Sequence, residues 1–240
     1  MVYWVLGYPQ KGLNLAAEAV ALSEHLAFPL NSELALLYNA MLHLERGEPE
    51  LALRRIGTAE ALAMEQRLAF VVEPQFLRGA ALTELGAYAD AVVCLREGLA
   101  GRLGTMRDRP YGLARLAEAL ALQGDNVAAL AMAAEGLETA ERTGNRQWEP
   151  ELQRLSGVAL WGLDRLEEAE RGLKEALRVA QHQCAKSYEL RAATNLARLW
   201  GEQGRRAEAV ELLAPICGWF TEGFDTADIK QAKSLLNALA

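Results

Sequence analysis

The chain has 240 residues, of which 51% are hydrophobic, and carries a net charge of −7 at pH 7. That acidic balance argues against nonspecific nucleic-acid binding, which relies on clustered Lys and Arg to neutralise phosphates. No apolar run approaches the roughly 18 residues of a membrane-spanning helix, and Met1–Gly7 lacks the basic and long apolar segments of a signal peptide. Ala, Leu, Glu and Arg are abundant, all good helix formers, and strand-like alternation is absent, so the sequence predicts an all-α protein. Cys94, Cys184 and Cys217 are odd in number and far apart. This pattern fits reduced thiols used as small apolar residues in a cytoplasmic protein, rather than a disulfide framework or a zinc motif.

One register recurs along the chain. Gly7, Gly47, Gly86, Gly124, Asp164 and Gly204 lie 38 to 40 residues apart, each closing one helical stretch and opening the next. Five residues after each marker stands a small residue: Gly12, Ala52, Ala91, Ala129, Ala169 and Ala209. Twelve after stand Ala19, Ala59, Gly98, Gly136 and Ala176; seven before stand Ala40, Gly79, Ala117, Gly157 and Ala197. Small residues locked to one turn mark a helix–turn–helix repeat whose paired helices approach closely. The prediction is an α-solenoid, a single repeat domain over 1–240.

In chain order, residues 1–28 form a partial first repeat. Only six residues precede Gly7, too few for a stable isolated helix, so the helix from Pro9 to Leu26 is expected to present an apolar flank. Either a preceding domain that has been lost or a second copy would cover it. Full repeats follow at 29–68, 69–106, 107–146, 147–184 and 185–217. In the first of these, helices are predicted from Asn31 to Glu45 and from Glu48 to Arg67, with Leu36, Ala40 and His43 on one packed face. Pro9, Pro49, Pro74, Pro110 and Pro150 fall at first helical turns, where proline is tolerated. Pro29 falls in a connector, and Pro215 is expected to end the last repeat. Residues 218–240 break the register with an aromatic turn, Gly218–Phe224, and a capping helix starting at Asp225 or Thr226.

Chemical motifs are sparse. Gly98, Gly101 and Gly104 do not make GxGxxG and leave a helix rather than entering one. His25, His43 and His182 lack a second ligand at helical spacing, there is no GxSxG, and Glu167 and Glu168 read as a solvated face. No cofactor, metal or catalytic residue is expected, and the chain is not read as an enzyme. Trp200 falls on the packed face. The concave groove is the remaining candidate site. Its predicted inward positions include Glu73, Phe76, Tyr111 and Glu118 in one half and Arg154, Trp161, Arg191 and Arg198 in the other. Arg and Trp are frequent anchors for a peptide or acidic group. Equally, Arg154 can pair with Glu151 and Arg198 with Glu202 along their helices.

The roughly 40-residue unit resembles the tetratricopeptide-like arrays of large bacterial signalling ATPases. The stretch Ala185–Ala240, with AKSYELRAATNLARLWGEQGRRAEAVELLAPICGWFTEGFDTADIKQAKSLL, is similar to the C-terminal end of multidomain bacterial adenylate/guanylate cyclases that carry an AAA-type ATPase module. There is no GxxxxGKS/T loop and no room for a cyclase domain, so no catalysis carries over. The resemblance implies a noncatalytic sensor or scaffold arm that binds a protein or peptide, itself, or an ATPase or cyclase module. The alternative is a small-ligand-sensing module with a metabolite in the groove.

Overall fold

A computed structural model describes residues 1–68, 74–101 and 108–240. Among them are thirteen α-helices: α1 (Val2–Val5), α2 (Pro9–His25), α3 (Pro29–Glu45), α4 (Pro49–Gln66), α5 (Pro74–Glu84), α6 (Tyr88–Ala100), α7 (Arg109–Gln123), α8 (Asn126–Thr143), α9 (Glu149–Gly162), α10 (Leu166–His182), α11 (Lys186–Glu202), α12 (Arg206–Gly218) and α13 (Ala227–Leu239). A 3-10 turn, Arg146–Trp148, precedes α9. The described residues form an all-α solenoid of helical repeats, and the two helices predicted for the second unit appear as α3 and α4.

The register has a backbone cause. Gly7, Gly47, Gly86, Gly124 and Gly204 have φ between 77° and 95°, and Asp164 stands at 59°. Each turns the chain through a left-handed residue so that the next helix runs back along the last. Glycine adopts that conformation without steric cost, and Asp tolerates it. The small residues then let the paired helices meet. Ala40, Ala52 and Ala59 are fully buried. A Cβ on Gly79 would lie 2.4 Å from Leu95, and one on Gly136 2.4 Å from Leu152.

Helices α3, α5, α7, α9 and α11 pack against one another in succession and line the inside, while α4, α6, α8, α10 and α12 form the outer layer. The prolines at the starts of α2, α3, α4, α7 and α9 sit in first turns. Pro215 departs from expectation. It lies inside α12, which continues to Gly218. The missing N–H costs one backbone bond close to the C-terminus, where the remaining turn still forms.

The two ends of the array meet. Residues 1–6 form one helical turn whose Trp4 is buried against α11. The Ser187 hydroxyl donates to the Trp4 carbonyl, and the Trp4 ring stands edge-on to Tyr188 at 5.3 Å. The backbone N–H groups of Gln10 and Lys11 donate to the Glu222 carboxylate at 2.8 and 3.0 Å. Those are orphan donors of the first turn of α2, and a carboxylate there also meets the positive end of the helix dipole. Arg46 reaches Asp225 at 2.6 Å, and the Ala227 N–H donates to the Arg46 carbonyl. The N-terminal edge of the first unit is therefore covered by the aromatic turn of the same chain, with the Tyr8 ring tilted against Trp219 at 5.7 Å. The far half of α2, past α1, remains apolar and open, with Leu22 58% and Leu26 50% exposed.

Candidate functional site

Closing the array fills its groove with the chain's own side chains, in two layers. The first is aromatic and comes from the starts of the inner helices. Phe76 meets Tyr111 at 6.4 Å, Tyr111 meets Trp148 at 4.6 Å, Trp148 meets Tyr188 at 6.0 Å, and Tyr188 meets Trp4. Such ring pairs add to the apolar area they bury. The second layer is ionic. Arg115 binds Glu45 and, at 3.0 Å, Glu118. Arg154 holds Glu151 with two hydrogen bonds of 2.8 and 2.9 Å and also donates to Asn195 at 2.9 Å. Arg191 donates to Asp228 of α13 at 3.0 Å, and its Nη1 lies 3.0 Å from Glu45 and 3.5 Å from Glu151. Two arginines join the layers, Arg115 over the Tyr111 ring and Arg191 over that of Trp4 at 4.8 Å.

Burial alone would discharge these groups. Burial pushes the Glu151 carboxyl up, but the Arg154 charge and hydrogen bonds, with Arg191 and Arg115, overcome it and hold the pKa at about 2. Arg115 and Arg191 are likewise penalised by burial, yet Glu45 and Asp228 respectively lead the carboxylates that keep them charged. Asp228 is the opposite case, where burial wins over Arg191 and its pKa rises. Tyr111 is raised to about 12, mainly by burial. The Tyr111 and Tyr188 hydroxyls, Glu45 Oε2 and Arg115 Nε are buried without a hydrogen bond. Glu33 of α3 is fully buried with both carboxylate oxygens unpaired, and burial raises its pKa to about 7.

The structure distributes the sequence-predicted groove residues unevenly. Glu73 lies outside the described residues. Phe76 and Tyr111 are core, at 0% and 2% exposure. The expected acidic-aromatic half is thus sealed rather than open, because neighbouring inner helices supply aromatics at the same level. Arg154 and Arg191 are brought together but are already engaged with carboxylates, so neither offers a free charge. Trp161 is half-buried against α10–α13 side chains. Arg198 alone of these arginines is exposed, and among the described residues it has no carboxylate partner, Glu202 included. It rims a hollow of about 450 Å³ with Tyr88, Leu122, Val158, Asn195 and Gln231. At the aromatic end, a second hollow of about 900 Å³ is lined by Val2, Tyr38, Met41, Arg142 and Trp148.

Sequence reasoning overlooked Glu45, Arg115 and Asp228. Arg115 and Glu118 stand three apart on one face, a signal that was available; Glu45 and Asp228 are joined to it only through the closed ring. His43 is buried with Nδ1 2.6 Å from Glu48, and Trp200 is core. Cys94 and Cys217 are buried, but Cys184 is exposed, in a left-handed turn. Gly98 packs on Phe76, where a Cβ would come within 2.9 Å; Gly104 lies outside the described residues. Among the described residues no His, Cys, Asp and Glu group could hold a metal, and no helix is long and apolar enough to cross a membrane.

No curated protein matches the chain significantly. A family model described as tetratricopeptide repeat matches residues 190–215, which run from the first turns of α11 into α12. That stretch is thus similar to a tetratricopeptide repeat, within an all-α solenoid of helical repeats.

Proposed function

We propose that this chain is a noncatalytic protein-interaction module acting in the cytoplasm as the sensor or scaffold arm of a bacterial nucleotide cyclase or signalling ATPase. Tetratricopeptide repeats generally mediate protein–protein contacts, and the resemblance of Ala185–Ala240 to cyclase C-terminal regions supplies the signalling context. The observation that carries the reading is Arg198, an unpaired guanidinium on the rim of a concave, partly apolar hollow. An acidic segment or C-terminal carboxylate of the partner engages Arg198, with Asn195 and Gln231 beside it. Arg154 lines the same hollow together with Glu84 and Glu118, and Trp161 lies one turn past Val158 on α9. Fluorescence anisotropy with acidic C-terminal peptides from cyclase and ATPase modules tests this. Arg198→Ala is expected to weaken binding by about 1.5–3 kcal/mol, the range for a charge-assisted hydrogen bond. Equal affinity of wild type and variant would remove Arg198 from the site.

The 900 Å³ hollow favours a second reading, a small-ligand sensor. Its aromatic floor, with Arg142 and Asp108 on the lining, suits a planar polar metabolite. A metabolite screen by thermal shift tests it, since a ligand in excess raises the melting temperature. A change that survives Trp148→Ala would place the ligand elsewhere.

A further inference from the structure

The hollow rimmed by Arg198 has a second wall of opposite sign. Arg198 stands six residues before its left-handed turn on α11, and Glu118 holds the same register position on α7, with Val158 of α9 between them. Glu84, the last residue of α5, lies with Glu118 on that far wall. Like Arg198, Glu84 is exposed and has no hydrogen bond or ion pair among the described residues. Two opposite charges thus line one hollow without meeting. The lining between them is apolar, from Leu122, Leu155 and Val158.

The acidic wall is also short of cations. A smaller hollow of about 110 Å³ shares Glu84, Glu118 and Arg154 with the first, and its lining carries the carboxylates of Glu45, Glu84, Glu118 and Asp228 against the guanidiniums of Arg154 and Arg191. Arg115 and Glu151, in contact with this set, add one charge of each sign. Fully ionised, the cluster therefore holds two negative charges in excess. The excess shows at Glu84, whose carboxyl is raised by desolvation and then by the Glu118 charge, and at Asp228, raised by burial. A cation brought to Glu84 relieves this wall, whereas a second carboxylate there meets like charge. Docking at Arg198 admits an acidic segment or a C-terminal carboxylate, and only the second leaves the far wall free for a cation. We propose that the hollow takes a partner's C-terminal residue whose side chain is basic. Its carboxylate lies on Arg198, Asn195 and Gln231, its aliphatic stem over Leu122 and Val158, and its side-chain cation on Glu84 and Glu118. A C-terminal lysine meets all three demands, since an apolar stem separates its two charges. The inference rests on the Arg198 reading and names the residue which that site selects.

The test is calorimetric titration of the full chain with the acetylated peptide Ala-Gly-Ser-Ala-Leu-Lys as its free acid, the same peptide amidated, and the free acid ending in Gln. The Lys free acid is expected to bind tightest, and amidation or the Gln end each to weaken binding by about tenfold or more, the loss of one charge-assisted contact. Glu84→Gln and Arg198→Ala replace exposed residues, so both are expected to keep the wild-type circular dichroism. Glu84→Gln should abolish the preference for Lys over Gln and retain that for free acid over amide; Arg198→Ala should do the reverse. Equal affinity of wild type for the Lys and Gln ends, or no binding of any peptide at millimolar concentration, overturns the proposal. Acetyl-lysine alone carries the same two charges, and affinity for it equal to that of the peptide would assign the hollow to a small metabolite and overturn the partner segment. The two readings fail separately. If free acid and amide are told apart through Arg198 but Lys and Gln are not told apart at all, only the basic residue is lost. If Lys and Gln are told apart through Glu84 but Arg198→Ala binds as wild type does, the cation site stands and the Arg198 reading falls.

Discussion

Two sets of ion pairs in this molecule have the same chemistry and opposite surroundings. On the outer helices, Arg165 pairs with Glu168 and Arg178 with Glu175, each at helical spacing and open to water. Inside, Arg154 pairs with Glu151 at the same i, i+3 spacing, but both are buried and share Arg191, Glu118 and Asn195 with them. By spacing alone the pairs are alike. What separates them is the curvature of the array, which removes one set from solvent and leaves the other in it. An exposed pair trades one set of solvated partners for another. A buried one must remain complete, because a single charge left behind is not resolvated.

The sharpest way to break the comparison is to remove one member from each set. Glu151→Ala strands Arg154 and is expected to destabilise by about 3–5 kcal/mol, read by urea unfolding. The same pair predicts an acid limb. Glu151 has a folded pKa of about 2, below its ordinary value of 4.5. Its stabilisation is present above that ordinary value and is lost as pH falls through 2. Wild type should therefore lose stability relative to Glu151→Gln across that window, and parallel pH profiles would contradict it.

Glu33 sharpens the contrast further, since it is buried without any partner. Its folded pKa of about 7 exceeds its ordinary 4.5, so the folded state holds its proton longer. The contribution of Glu33 is then most favourable below 4.5 and is lost as pH rises through 7. Glu33→Gln should be more stable than wild type by about 1–3 kcal/mol at pH 8 and equal to it at pH 4. An equal gain at both values would mean that packing, not charge, limits the site. At the small end, Glu168→Ala on α10 should leave the melting temperature unchanged; a shift comparable to that of Glu151→Ala would erase the distinction between the two sets.

Much of the fold could be read from residues with a single physical role. The six markers stand out because the chain must pass through φ > 0 there, and five of the six are glycine. Asp164 could be placed only because its neighbours kept the spacing. The turns between units follow the same geometry but hide it. Ala27, Arg67 and Cys184 take φ between 52° and 55° with side chains that do not advertise it. The site was less legible. The sequence expects Arg154 and Arg191 on the inner face, but an inner face becomes a groove or a core according to how far the array curves. That depends on small rotations summed over all units, and no residue reports the sum. The closing contacts, Arg46 to Asp225 and Gln10 to Glu222, each take one partner from the C-terminal segment outside the repeat pattern.

That seam alters how the molecule comes apart. An open stack of repeats behaves as a line of nearest neighbours and melts inward from its tips. Here hydrogen bonds spanning 179 and 212 residues join the line into a loop. Contacts so distant along the chain form only after the intervening units are in place, because each must first overcome the entropy of loop closure. The ring therefore completes last, and while it stays shut neither end is free to fray. Amide-exchange protection should then be nearly level around the ring rather than graded toward the ends, making the array a single cooperative body instead of a ladder of separable rungs.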